Sequence, residues 1–487
     1  MRSLNENKWF NSKRLLGFYS NGWRLLAAAA IVHVALATGL FWAGRAQIAP
    51  GVIGRDGIMN SFASDGHVYR QGAARLVGVL RQKGWRAWAR QPEQANVKLL
   101  SLQFAILSPL FGQSILSAEP FNLSCYLAIL LLVFMLGREV GGRRVGLIAA
   151  GVVSLWPTFL LHTTQFLKDP LFIAGALALV LIVTTWLTRT YNWVGAVGMG
   201  ALVALTTGLL LRVRFEFGVI IFAIVLFGFG LLIIRQLRER RWLYWNLVCP
   251  LLIIIIGMAA TFYLRDSYNR YSTRQITQLG LPLCPGKERL AVGPAEGLAS
   301  PATGTPLNYT GWLFAAADKA ALEVGCVRYY FIAWYPVSGS IIDGQVRIEN
   351  FNDLILYLPR ALAIGLLAPF PQDWFGTGLS VGRAGRLLSG AETLIIYLCE
   401  VLALLALVRS PRRLPAWLLL AVTVLGATAL GLVVSNLGAL YRFRYLFWIL
   451  LIILGVDGLV SIMSALKDRN AGTALRAKEV AHQTGVI

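Results

Sequence analysis

The stretch HTTQFLKDPLF, His162 to Phe172, stands between two apolar runs, at about 145 to 162 and 170 to 187. Each run is long enough to cross a bilayer as a helix, which takes roughly twenty residues. Lys168, Asp169 and Pro170 lie side by side where the chain otherwise favours lipid. Asp followed by Pro at the start of an apolar helix is the pattern of an N-cap and a first-turn proline. The stretch therefore reads as a break between two spans, with charges that either cap a helix or do chemistry.

Working outward, the whole chain has the same character. Of its 487 residues 57% are hydrophobic and only 14% charged, with a mean hydropathy of +0.63, which excludes a soluble globular domain. The expected fold is an all-α polytopic membrane protein. Spans are expected near 25–43, 120–137, 145–162, 170–187, 193–211, 216–234, 244–264, 390–408, 415–434 and 445–465, about ten in all. The first follows a basic N-terminus and lacks a clean small-residue cleavage site, so it reads as a retained signal anchor. Two further apolar stretches, 99–111 and 354–371, contain proline and read as interfacial or re-entrant pieces.

The net charge of +22 falls in short clusters between apolar runs rather than in one basic domain, which points to membrane topology and away from nucleic acid. A cytoplasmic N-terminus puts Arg138, Arg143 and Arg144, then Arg189, then Arg235 to Arg241, then Arg409 to Arg413 on the inner side. The expected organisation is a cytoplasmic 1–24, an N-terminal transmembrane catalytic module over 25–234, a C-terminal transmembrane region over 244–465, and a cytoplasmic tail, 466–487. Two long outer loops result, 44–98 and 265–389, each bearing interfacial helices, and the location is the inner (plasma) membrane. Cys284 and Cys326 share the second loop, in an oxidising compartment that permits a disulfide. The helix interiors read as nearly free of charge, with Asp457 an exception that the sequence leaves without a partner.

Short outer connections should be poor in Lys and Arg, yet they carry Lys168, Arg212, Arg214, Arg442 and Arg444. RVRFEF, Arg212 to Phe217, and YRFRY, Tyr441 to Tyr445, each set two guanidiniums at alternate positions among aromatics. One reading is snorkelling from helix ends. The other, favoured because five exceptions share one side, is a site for a membrane-bound phosphate, which the guanidinium fork matches. Glu216 is read first as an ion-pair partner of Arg212 or Arg214. In the first outer loop, SDGHVYRQGA, Ser64 to Ala73, places Asp65, Tyr69 and Ala73 at helical spacing. A carboxylate at the mouth of such a helix can accept a proton from an acceptor hydroxyl, although Asp65 also suits an N-cap.

The Asp65 loop with Tyr69, the Asp-Pro that opens a later span, and RFRYLFWILLIILGVDGL, Arg442 to Leu459, together resemble the membrane glycosyltransferases of the C superfamily. Within it they are most like the protein O-mannosyltransferase and aminoarabinose transferase branch. The resemblance is best over residues 20 to about 235, including PLFG, Pro109 to Gly112, and LLLRVRFEF, Leu209 to Phe217, and loose over 265–389. It implies Asp65 and Asp169 as catalytic carboxylates and Lys168, Arg212, Arg214, Arg442 and Arg444 as contacts to the donor's phosphate. His67, Tyr69 and Glu216 are accessory candidates. The implied donor is a polyprenyl-phosphate sugar, the acceptor a glycan, lipid or protein, and the reaction inverts the anomeric centre. Relatives commonly have a second acid directly after the first-loop Asp, where Gly66 and His67 stand here; this disfavours the divalent cation that some members bind, and no metal site is assigned. Two other readings compete. An O-antigen type polymerase or ligase would use the late loop, which holds Asp266, Arg270, Arg274, Asp318, Asp343 and Arg360. A lipid or polysaccharide transporter would place ionisable groups in mid-membrane.

Overall fold

The computed structural model describes residues 22–60, 65–247, 309–334, 340–376 and 382–483, with single positions 63, 250, 251, 254, 257 and 284 among the rest. The described residues are helical apart from connections and two isolated bridges. The chain divides into two compact units, Met1–Leu177 and Ala178–Ile487.

In the N-terminal unit the order is α1 (Gly22–Arg45), α2 (Asp65–Ala89), α3 (Ala95–Phe111), α4 (Ile115–Gly141), α5 (Arg143–Ser154), α6 (Pro157–Thr163) and the start of α7 (Asp169–Thr188). The C-terminal unit continues with α8 (Trp193–Val213), a 3-10 turn at Phe215–Phe217, α9 (Gly218–Glu239), α10 (Tyr309–Trp334) and α11 (Phe351–Leu367). It ends with α12 (Gly382–Arg409), α13 (Leu414–Val433), the short α14 (Leu437–Phe443) and α15 (Tyr445–Gln483).

Eight described helices are long and apolar enough to cross a membrane, and they match eight of the ten expected spans. The span expected over 145–162 is instead the pair α5 and α6, bent by 72°. Pro157 accounts for the bend, because its ring drives the preceding residue out of the helical region, and Trp156 is indeed extended at ψ 111°. The span expected over 244–264 lies mostly outside the described residues. Proline does not break 99–111, where α3 carries Pro109 near its end; over 354–371, α11 runs through Pro359 but stops at Leu367, before Pro369 and Pro371.

The helix interiors are less free of charge than the sequence reading holds. His33, Glu119, Glu392 and Asp457 are all buried within helices of spanning length. Polar partners make this tolerable, since an unpaired charge in an apolar interior is costly. His33 Nδ1 meets Glu119 Oε1 at 2.7 Å, Tyr441 donates its hydroxyl to Glu392, and Arg413 Nη1 reaches both oxygens of Asp457, at 3.2 and 3.3 Å. The last contact supplies the partner for Asp457 that the sequence did not reveal. Cys284 and Cys326 are joined in a disulfide, with Cα atoms 5.4 Å apart.

Candidate functional site

In the N-terminal unit two distant stretches of sequence meet. Helix α2 opens at Asp65, where the amide of Gly66 donates to the carbonyl of Ala63 at 2.8 Å. Its inner face, Ala73, Leu76 and Val77, joins one buried cluster with Phe166 and Leu167 from the opening stretch. The amide of Met59 also donates to Gln165 Oε1 at 2.9 Å. The first outer loop is thereby fastened to the break between α6 and α7. Asp65 and His67 are half-buried, and Tyr69 packs partly against the cluster. His67 Nε2 lies 2.9 Å from Asn60 Oδ1.

The break itself is buried except at Lys168, which is half-buried. His162, Thr163, Thr164, Gln165 and Asp169 are all buried, and side chains take up the backbone groups that a broken helix leaves over. Asn122 donates to the carbonyl of Gln165, and the hydroxyls of Thr163 and Thr164 donate to those of Leu160 and Leu161. His33 Nε2 lies 3.0 Å from Thr163 Oγ1, while the ring stacks on Tyr126 with centroids 4.6 Å apart. The Lys168 carbonyl accepts the first intrahelical bond, from the amide of Phe172 at 3.2 Å. Lys168 thus takes the cap position expected of Asp169, and Asp169 with Pro170 forms the first turn. Asp169 Oδ2 lies 3.0 Å from His162 Nε2. A buried carboxylate held by a buried imidazole is suited to fixing geometry; Asp65, half-open at its helix mouth, is suited to meeting a substrate.

The C-terminal unit brings the two arginine motifs together. Arg214 is 2% exposed and its guanidinium lies over two rings, Phe443 at 4.5 Å and Phe217 at 5.2 Å. Phe217 and Phe443 meet edge to face at 6.0 Å, so RVRFEF and YRFRY share one aromatic seam. Glu216 pairs with Arg214, at 3.8 Å. Arg212 is exposed and Arg442 half-buried over Phe443. Arg444 is wholly buried, 4.0 Å from the centroid of Trp448 and 5.3 Å from that of Tyr441. Its Nη1 makes a long 3.4 Å bond to the carbonyl of Gly365, and among the described residues Nε and Nη2 meet no hydrogen-bond acceptor. Burial pushes this guanidinium down to about 9, which leaves it charged at neutral pH.

Sequence reasoning missed His162, His33 and Glu119, because their partners lie on other helices and no spacing betrays them. It also missed Arg328, buried on α10, which donates to the carbonyls of Leu432, Ile342 and Asp343 at 2.8 to 3.1 Å. The late-loop charges that fall within the described residues serve structure: Asp318 accepts the Phe351 amide that opens α11, and Asp343 is gripped by Tyr357 and Arg360. Asp266, Arg270 and Arg274 lie outside the described residues.

No family model matches this chain, and no curated protein matches it. Among solved structures it is similar to the oligosaccharyltransferase AglB from Archaeoglobus fulgidus, solved in complex with an inhibitory peptide and a dolichol-phosphate. The TM-score is 0.47 at 15% identity, over 92% of this chain and 51% of that one. The chain thus spans about half the length of that neighbour.

Proposed function

We propose that the protein is a membrane glycosyltransferase that moves a sugar from a polyprenyl-phosphate donor to an acceptor hydroxyl at the outer face of the plasma membrane, with both termini cytoplasmic. The observation that carries this reading is the arginine seam around Phe443. A buried cation is stable when an anion or a set of acceptors balances it, and among the described residues Arg444 has one long bond to a carbonyl, two aromatic faces and the field of Glu400, with which it forms no ion pair or hydrogen bond. A phosphate brought to the exposed Arg212 and the half-buried Arg442 would supply that anion, with Arg214 and Arg444 behind them contributing field.

In this reading Asp65 takes the proton from the acceptor hydroxyl as its oxygen attacks the anomeric carbon. The bond from that carbon to the phosphate oxygen breaks, and the polyprenyl phosphate leaves with the electron pair. The guanidiniums stabilise the charge developing on it. Asp169 acts with His162 as a positioning pair that holds the Lys168 end of the break against the first loop.

Asp65→Asn is expected to lower sugar transfer by about 100-fold or more, the range of a general base, in membranes supplied with a polyprenyl-phosphate sugar. Expression and topology should not change. Full activity in that variant would remove Asp65 from the reaction. Labelling of single cysteines introduced beside Asp65, Asp169 and Arg442 should succeed from outside the cell; labelling from the cytoplasm alone would overturn the outer-face assignment. Mass spectrometry of envelope glycans from cells with and without the protein identifies the sugar and the acceptor.

A further inference from the structure

The first outer loop holds a feature that the roles above do not use. An open cleft of about 490 Å³ lies between Arg45 at the end of α1, the turn at Arg55 and Asp56, His67 and Arg70 on α2, and Ser114 at the start of α4. That volume is within the range of small-molecule sites. Three guanidiniums line it against one carboxylate. Asp56 is already engaged, with Oδ2 3.2 Å from Arg70 Nη1 and Oδ1 accepting the amide of Ile58 at 3.1 Å.

Arg45 and Arg55 remain. Both are exposed, and neither has a carboxylate partner among the described residues; Arg45 only lies over Phe41, at 5.2 Å. Arg70 keeps a buried Nε that meets no acceptor among the described residues. The cleft also meets the N-terminus of the 27-residue α4, where Ser114 turns its hydroxyl to the carbonyl of Phe111 and does not cap the helix. Backbone carbonyls close that end instead, the Ile115 amide donating to Asp56 and the Ser117 amide to Ser114, each at 3.0 Å, so the helix contributes the field of its dipole rather than free amides.

We infer that this cleft binds a phosphate group that carries two negative charges. Two guanidinium forks that no carboxylate among the described residues balances, beside the positive end of a helix dipole, are the chemistry that recognises a phosphomonoester or a pyrophosphate. A single carboxylate would balance only half of that charge. Arg70 and His67 lie in the first two turns of the helix that Asp65 opens. The phosphate therefore belongs to the molecule presented at α2, which is the acceptor if Asp65 is the base; that last step rests on the proposed function.

Isothermal titration of inorganic pyrophosphate into the full-length protein in phosphatidylcholine nanodiscs, at constant ionic strength, tests the site without any transfer reaction. Saturable binding is expected, weakened at least tenfold in an R45Q/R55Q double variant, which leaves the Arg70–Asp56 pair in place. An R143Q/R144Q variant loses the same charge elsewhere in the same unit and should bind as the wild type does. Discs that also contain phosphatidic acid separate two sources of the phosphate. Loss of pyrophosphate binding in them identifies a lipid headgroup as the competitor, and undiminished binding identifies a ligand from the aqueous side. Absence of binding in phosphatidylcholine discs, or equal weakening in both double variants, would overturn the inference. D65N should still bind pyrophosphate, so failure of the catalytic reading and failure of the cleft are seen separately.

Discussion

Arg328 and Asp343 show at the scale of single residues how charges that look free in the sequence are used up by the fold. Arg328 holds the carbonyls at the end of α13 and those of Ile342 and Asp343, the arrangement that a helix C-terminus favours in a cation. Asp343 answers with its side chain, accepting from Arg360 at 2.9 and 3.1 Å and from Tyr357 at 3.0 Å. The Arg360 hydrogen bond, ahead of the Tyr357 bond, holds the Asp343 carboxyl below the usual carboxylate range. A carboxylate whose folded value is depressed contributes its stability fully above its unfolded value, about 3.9, and loses it as the pH falls toward the folded value. Hydrogen exchange of the 340–346 amides should therefore quicken below about pH 4, after correction for intrinsic rates. Asp343→Asn should show weaker protection at neutral pH and no further acid loss. An identical acid profile in both would mean that the pair stabilises nothing.

Among the elements, the crossing of α11 and α13 depends on two glycines. A Cβ on Gly431 would lie 1.9 Å from the carbonyl oxygen of Ala361, and one on Gly365 would lie 2.0 Å from that of Ala427. The backbones touch there, as small residues allow in helix pairs of membrane proteins. Gly431→Val should cost about 1–3 kcal/mol through forced separation, read as a fall in the thermal midpoint of the detergent-purified protein. Gly208→Ala, where a Cβ meets nothing within 4 Å, should be neutral or mildly stabilising. Equal midpoints for the two variants would show that the crossing has slack. The same scale explains the bent α5–α6 pair. Hydropathy counts Leu155, Trp156 and Pro157 as span-compatible, whereas backbone sterics end a helix there.

At the scale of the whole molecule, the covalent tie among the described residues is the Cys284–Cys326 disulfide, which closes a separation of 42 residues. In the chain-entropy picture such a loop stabilises by about 4 kcal/mol. Reduction should lower the thermal midpoint, Cys326→Ser should lower it equally, and reductant should not shift that variant further. An unchanged midpoint on reduction would place the loop outside the cooperative unit. Cys125 and Cys399 are free and buried, and Cys249 lies outside the described residues.

Sequence alone determined the all-α membrane class, eight of the spans, the helix that opens at Asp65, and the two arginine motifs. Length, apolar content and 3.6-residue spacing are local properties that need no knowledge of neighbours. Only the tertiary structure decided which charges belong together. It joined Gln165 and Phe166 to the first outer loop, brought Arg214 and Phe443 into one seam, gave Asp457 and Asp169 their partners, and gathered Arg45, Arg55 and Arg70 around one cleft. A buried ion pair or a cation over a ring is set by contact between residues far apart in the chain, and periodicity carries no information about such contacts.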